Sequence, residues 1–198
     1  MDLKDIRKKR NGMLFGNLTD NNHKVVRTVG LYVDLPNLYA TMKDKGSFPR
    51  LEELIAVSRS LGDLLIAKIY TTIRSSSKNS SILGLERIGY TVVPRFVPDA
   101  DYGLRKDIDT FLAVDAVNDS LTMSLDILIV ASNDSDFAPL MRVARKAGVT
   151  TVAIVSSHEE AKLLAESATV YLEGIWSDSE NEVNQTRDVR FPVLEVVE

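Results

Sequence analysis

Four aspartates carry the chemistry that this sequence offers. Asp34 closes a short apolar run, Val29-Gly30-Leu31-Tyr32-Val33, and Asp134 and Asp136 follow a second one, Ile127-Leu128-Ile129-Val130. Asp109 stands at the start of a third apolar stretch. Carboxylates that converge on one cleft repel each other unless a divalent cation lies between them, and an all-oxygen donor set suits Mg²⁺ or Mn²⁺. Softer chemistry is largely excluded. The 198 residues include no Cys and only two His, His23 and His158, so thiol nucleophiles, iron–sulfur clusters, zinc ribbons and a three-His zinc site are ruled out. No G-x-x-x-x-G-K-[ST] or G-x-G-x-x-G run is present to cradle a nucleotide phosphate.

Bringing distant acids to one edge requires particular elements. Residues 29–33 read as a buried strand, as do 64–72, 90–97, 126–131, 151–155 and 170–172. Helices are predicted over 38–45, 51–61, from the serine cluster 75–81 to Ile88, and over 106–123, 137–147 and 159–166, with Gly46, Gly89 and Gly148 as stops. Short apolar strands alternating with longer helices imply βαβ units, hence an α/β fold with a mostly parallel sheet covered on both faces. Ligands of such sheets bind beyond the carboxyl ends of the strands, where strand order reverses. Asp34, Asp134 and Asp136 are neighbours there if their two strands are adjacent. At about 100° per residue, Asp109 falls on the same helical face as Leu112, Ala113 and Ala116, so it too is placed on a buried side. Asp115 falls well off that face and is read as structural support. Plain structural roles exist for each acid. Asp134 would cap the following helix, Asp34 would make a turn with Pro36 and Asn37, and Asp109 would complement a helix dipole with Lys106 as ion-pair partner.

Length predicts one domain with tails, since chains split into separate cores only beyond roughly 250 residues. Residues 1–24 read as a polar arm with a basic run, Arg7 to Arg10; residues 25–176 form the domain; residues 177–198 read as an acidic linker followed by an apolar tail around Phe191 and Leu194. That tail would make a homodimer unsurprising. No apolar run approaches the 18 or so residues of a membrane span, and the first residues lack a signal-peptide pattern, so the expected location is the cytoplasm. A net charge of −4 would ordinarily argue against a nucleic-acid partner. Net charge, however, averages over where charges sit.

The motifs resemble those of the NYN domain in LabA-like proteins, a branch of the PIN-like nucleases. The resemblance is carried by Val33-Asp34-Leu35-Pro36-Asn37, by Lys106-Asp107-Ile108-Asp109 continuing to Asp115, and by Ser132-Asn133-Asp134-Ser135-Asp136-Phe137 with Pro139, Leu140 and Gly148. It implies a Rossmann-like three-layer α/β/α fold and Mg²⁺- or Mn²⁺-dependent endoribonuclease activity. The family's acidic cluster maps onto Asp34, Asp109, Asp134 and Asp136, as catalytic residues and metal ligands. Two departures stand out: Asp107 where the family usually has Gly, and Asn133 where many members have Gly.

On this reading the partner is RNA, single-stranded by expectation. Asn37, Lys106 and Ser132 would contact phosphate or orient a carboxylate, and Arg74, Lys78, Arg95 and Arg105 would form a basic rim that reconciles acidity with RNA. A rival reading is a PIN-like RNA- or protein-binding regulatory module with little catalysis, working through its basic arm and apolar tail. A third is a phosphohydrolase with Asp34 as covalent nucleophile. Such enzymes want a second acid two positions on, where this chain has Pro36.

Overall fold

The computed structural model describes residues 26–43, 48–74, 80–97, 108–173 and 176–177. A strand apolar on both faces must be central, and β1 (Thr28–Asp34) is buried from Val29 to its end. Its neighbours are β3 (Asp63–Arg74) and β5 (Ile127–Ala131), both parallel to it. With β4 (Thr91–Val97), β6 (Thr150–Val155) and β7 (Val170–Glu173) they form one six-stranded, all-parallel sheet of order β4-β3-β1-β5-β6-β7. The chain therefore builds outward from β1 through β3 to β4, then returns to the other side of β1 to lay down β5. The reversal of strand order falls between β1 and β5. Gly30 lets β1 lie close beneath its cover, because a Cβ there would come within 2.5 Å of Leu125 Cδ1.

Helices cover both faces, as the alternation of elements requires. Helices α1 (Leu35–Lys43) and α2 (Leu51–Leu61) enclose one core, in which Leu38, Leu54 and Ile55 meet Leu31, Val33 and Ile129. α3 (Ser80–Ile88) adds Leu85 and Ile88 to the same side. On the other face α4 (Ile108–Thr122) and α5 (Ala138–Lys146) pack Leu112, Ala116, Leu140 and Met141 against Tyr32, Leu128 and Val130, and Leu164 of α6 (Lys162–Ser167) joins them. Truncating a fully buried leucine such as Leu112 to alanine would cost about 2–5 kcal/mol. α5 stops where Gly148 takes a φ of 82°, a conformation that a side chain disfavours.

Three boundaries differ from the sequence expectation for identifiable reasons. α1 begins at Leu35 rather than Leu38, because Pro36 suits a first helical turn and Asp34 supplies the cap: its Oδ1 accepts from the Asn37 N–H at 3.2 Å. The helix after β5 is preceded by a 3₁₀ turn over Ser135–Phe137, capped by Asp134. α6 begins at Lys162 rather than Glu159, after a turn. A further pairing has no periodic signal at all. The two-residue strands β2 (Phe48–Pro49) and β8 (Trp176–Ser177) pair antiparallel. The expected arm over 1–24 and the tail beyond Ser177 lie outside the described residues.

The α4 face contains a buried polar network. Lys68 Nζ lies 2.7 Å from Asp119 Oδ2 and 3.1 Å from Asp115 Oδ2. The Tyr32 hydroxyl donates to Asp119 at 2.9 Å and the Tyr70 hydroxyl to Asp115 at 2.8 Å. Burial first, and then the adjacent aspartates, push both phenols above their ordinary range, so both stay neutral donors. Burial disfavours the Lys68 charge, but its hydrogen bonds to Asp119 and Asp115 outweigh that and raise its pKa. The network ties α4 to β1 and β3 at a fixed height above the sheet.

Candidate active site

The carboxyl ends of β1 and β5 lie side by side, with Val33 opposite Ala131 in the pairing register. The residues that follow each strand therefore share one edge. A cleft there is lined by Asp34, Pro36, Asn37, Thr72, Ile108, Asp109 and Asp134. Three of the four predicted acids thus meet at the predicted place. Asp34 comes from the end of β1, Asp134 from the cap after β5, and Asp109 from the first turn of α4.

Asp34 is the most confined of them, with 2% of its surface exposed. Among the described residues its two oxygens accept from neutral donors: Oδ1 from the Asn37 N–H, and Oδ2 from the Ser132 hydroxyl at 3.1 Å. Burial pushes its carboxyl up to about 6, the charges of Asp109 and Asp134 add to the rise, and the bonds from Asn37 and Ser132 pull it back. Ser132 is fully buried and works in both directions, since its Oγ also accepts the Asp134 N–H at 3.0 Å. One hydroxyl thereby fixes the spacing of two acids on adjacent strands.

The structural roles anticipated for Asp34 and Asp134 are real as well. Asp134 Oδ1 accepts from the Asp136 N–H at 2.9 Å, as a cap does, and Asp34 caps α1. Capping fixes each carboxylate at the cleft; it does not remove it from there. Asp136 is exposed and is not among the lining residues, so it stands on the rim beside Asp134. Asn37 lines the cleft, and its Oδ1 accepts from the Asn133 N–H at 2.9 Å. Asp115 is held by Lys68 and Tyr70, away from the cleft.

Of the basic rim, Arg95 sits on β4 with its guanidinium over the Phe111 ring, 5.9 Å from the centroid. Arg74 ends β3. Lys78, Arg105, Lys106 and Asp107 lie outside the described residues. Thr72 was not anticipated. Its signal was available, because it sits near the carboxyl end of the strand beside β1, but it carries no charge to draw the eye.

The donor set fits a hard divalent cation in kind: carboxylate oxygens, one of them on a group that burial first, and then the charges of two neighbours, make reluctant to ionise. Among the described residues, no three His, Asp or Glu side chains stand close enough to hold a metal ion between them as placed. The acids share a cleft rather than a closed coordination sphere.

A family model for the NYN domain matches residues 28–178. The chain belongs to the NYN domain family. NYN domains are nuclease-like domains of the PIN-like type, and the motifs that resembled them supply the acids of this cleft. The departure at Asn133 from the glycine of many NYN members has a physical correlate: its Oδ1 accepts the Ser156 N–H at 2.7 Å, stapling the ends of β5 and β6. No curated protein matches the chain. Among solved structures, a protein of unknown function from Vibrio parahaemolyticus shares the fold, with a TM-score of 0.65 at 18% identity, over 77% of this chain and 95% of that one. No helix among the described residues is long and apolar enough to cross a membrane.

Proposed function

We propose that this NYN domain is a metal-dependent endoribonuclease that hydrolyses RNA phosphodiester bonds, single-stranded RNA by preference, in the cytoplasm. The observation that supports it most is the meeting of Asp34, Asp109 and Asp134 in one cleft at the reversal of strand order, with Asp34 buried and its carboxyl pushed up to about 6. Asp34, Asp109 and Asp134 would hold Mg²⁺ or Mn²⁺, with Asp136 joining from the rim. What the cation supplies when bound is Lewis acidity, a lowered pKa for an attacking water, and charge against the phosphodiester.

The chain's own residues do the rest. The Asn37 N–H and the Ser132 hydroxyl fix both oxygens of Asp34, so its orientation is set before any ligand arrives. Ser132 ties Asp134 to the same frame. Asn37, which lines the cleft, would orient a phosphate, and Thr72 adds a hydroxyl-bearing side chain to the same lining. The basic run of residues 7–10 and the rim arginines would draw the RNA backbone toward an otherwise acidic molecule.

The test is cleavage of a labelled single-stranded RNA with Mn²⁺. Asp34→Asn and Asp134→Asn, each shown to be folded, should both abolish it, and EDTA should do the same to the parent. Cleavage persisting in both variants overturns the site. RNA binding that ignores EDTA, with no turnover at any Mn²⁺ concentration, would identify the regulatory module instead.

A further inference from the structure

The cleft continues into a surface that the acids do not use. Thr72, on its wall, pairs in register with Arg95 of β4. The Arg95 guanidinium lies over the ring of Phe111, and Phe111 is in the first turn of α4, two residues beyond Asp109. Phe111 is 49% exposed, although the same helix buries Leu112 and Ala116 completely. A phenylalanine held half in water, with a guanidinium against its ring, forms a flat platform.

Position narrows what the platform can meet. At about 100° per residue Phe111 lies roughly 200° around α4 from Asp109, so the two side chains flank the amino end of the helix on opposite sides. A chain with its scissile phosphodiester among the acids would cross that end. A neighbouring nucleotide, rather than the one being cut, would then reach the ring. Bases have flat faces of any sequence to offer, and base–aromatic stacking with arginine nearby is how single strands are held without sequence preference. Paired bases have no such face to give, because they are stacked within the duplex.

We infer that Phe111 and Arg95 form a stacking subsite for one base of single-stranded RNA, flanking the carboxylate cleft and selecting unpaired substrate. The inference rests on the ribonuclease reading and specifies its substrate class. Phe96, the next residue on β4, is also exposed but points to the other face of the sheet by strand alternation, so it is not part of the subsite.

The experiment uses the full chain carrying Asp34→Asn, so that RNA binds without being cut, with Mn²⁺ and a short fluorescein-labelled RNA, single-stranded or annealed to its complement. Adding Phe111→Leu should weaken single-strand binding roughly tenfold or more. It should leave the salt dependence of binding and the affinity for duplex unchanged. Phe111→Trp should bind at least as well as Phe111, an order that mere space-filling does not produce. Arg95→Gln should reduce the slope of log affinity against log salt by about 0.7, one phosphate contact on a single strand. Equal single-strand affinity for Phe111→Leu and the parent overturns the subsite, as does an equal loss on duplex. If the Asp34→Asn chain binds neither form while native protein cleaves neither, the ribonuclease reading itself falls, and the two failures are told apart by the parent alone.

Discussion

One helix carries two sets of aspartates with opposite fates. In the middle of α4, Asp115 and Asp119 close on Lys68 and on two phenolic hydroxyls, and each charge is answered by a cation or a neutral donor a hydrogen bond away. At the start of the same helix, Asp109 shares a cleft with Asp34 and Asp134, and among the described residues Asp34 receives a backbone N–H and a serine hydroxyl rather than a cation. Burial raises its carboxyl, and its neighbours' charges add to the rise instead of opposing it. The two regions lie a few residues apart on adjacent strands, since Tyr32 pairs with Lys68 and Asp34 with Tyr70. Residue type therefore says little about role here. An aspartate satisfied by the protein's own cation holds the fold; one buried among other acids is the kind that the proposed reading assigns to a cation from outside.

The contrast should break first in activity. Asp34→Asn should lower Mn²⁺-dependent cleavage by about a thousandfold or more, on the order of 4 kcal/mol of transition-state stabilisation. Asp115→Asn should retain most turnover at a temperature where it is folded. If the two lose activity alike in single-turnover assays on folded protein, the division between them is wrong.

Stability should show the reverse order. Lys68→Met leaves the buried Asp119 and the partly exposed Asp115 without their cation and should cost about 2–3 kcal/mol in urea unfolding, less than a fully buried pair because water screens Asp115. Adding Asp115→Asn and Asp119→Asn should recover much of that loss, because the stranded charges go with them. A triple variant no more stable than Lys68→Met would mean that packing, not charge balance, sets the cost.

The smallest effect concerns Asp34 alone and depends on pH. Its folded carboxyl titrates near 6 against an ordinary 3.8, so between those values the folded state keeps a proton that the unfolded chain has lost. Stability from this group is present below about pH 4 and is lost as pH rises through 6, for a penalty of at most about 3 kcal/mol above that. Asp34→Asn cannot ionise and should melt at a higher temperature than the parent at pH 7.5, with the gain disappearing near pH 4. A gain independent of pH would locate the effect elsewhere.

How much of this was legible depended on whether the signal was local. β1 and β5 show as unbroken apolar runs because a central parallel strand is buried on both faces, and Asp109 betrayed itself by standing on a helix's apolar side. The start of α1 was misplaced because Asp34, Pro36 and Asn37 read equally as a turn or as a capped first turn, and only the Asn37 N–H decides between them. The Lys68 network was invisible. Lys68 interrupts an apolar strand without announcing a partner 47 residues later, and nothing in a periodic pattern encodes that meeting. The β2–β8 pairing escaped for the same reason, being two residues long at each end. Asp115 matched the family pattern, and its angle on the helix was enough to keep it out of the cleft.

The position of β1 between β3 and β5 also sets a schedule. The Ser132 bond that fixes Asp34 spans 98 residues of chain, and the segment between them includes β3, β4 and α4. During synthesis a domain folds as a unit only once its distant strands have emerged. A chain still lacking β5 has Asp34 but neither Asp134 nor the serine that aligns them. On the proposed reading, the growing polypeptide has no assembled carboxylate cleft with which to attack the message from which it is being read, and acquires one only after β5 has left the ribosome.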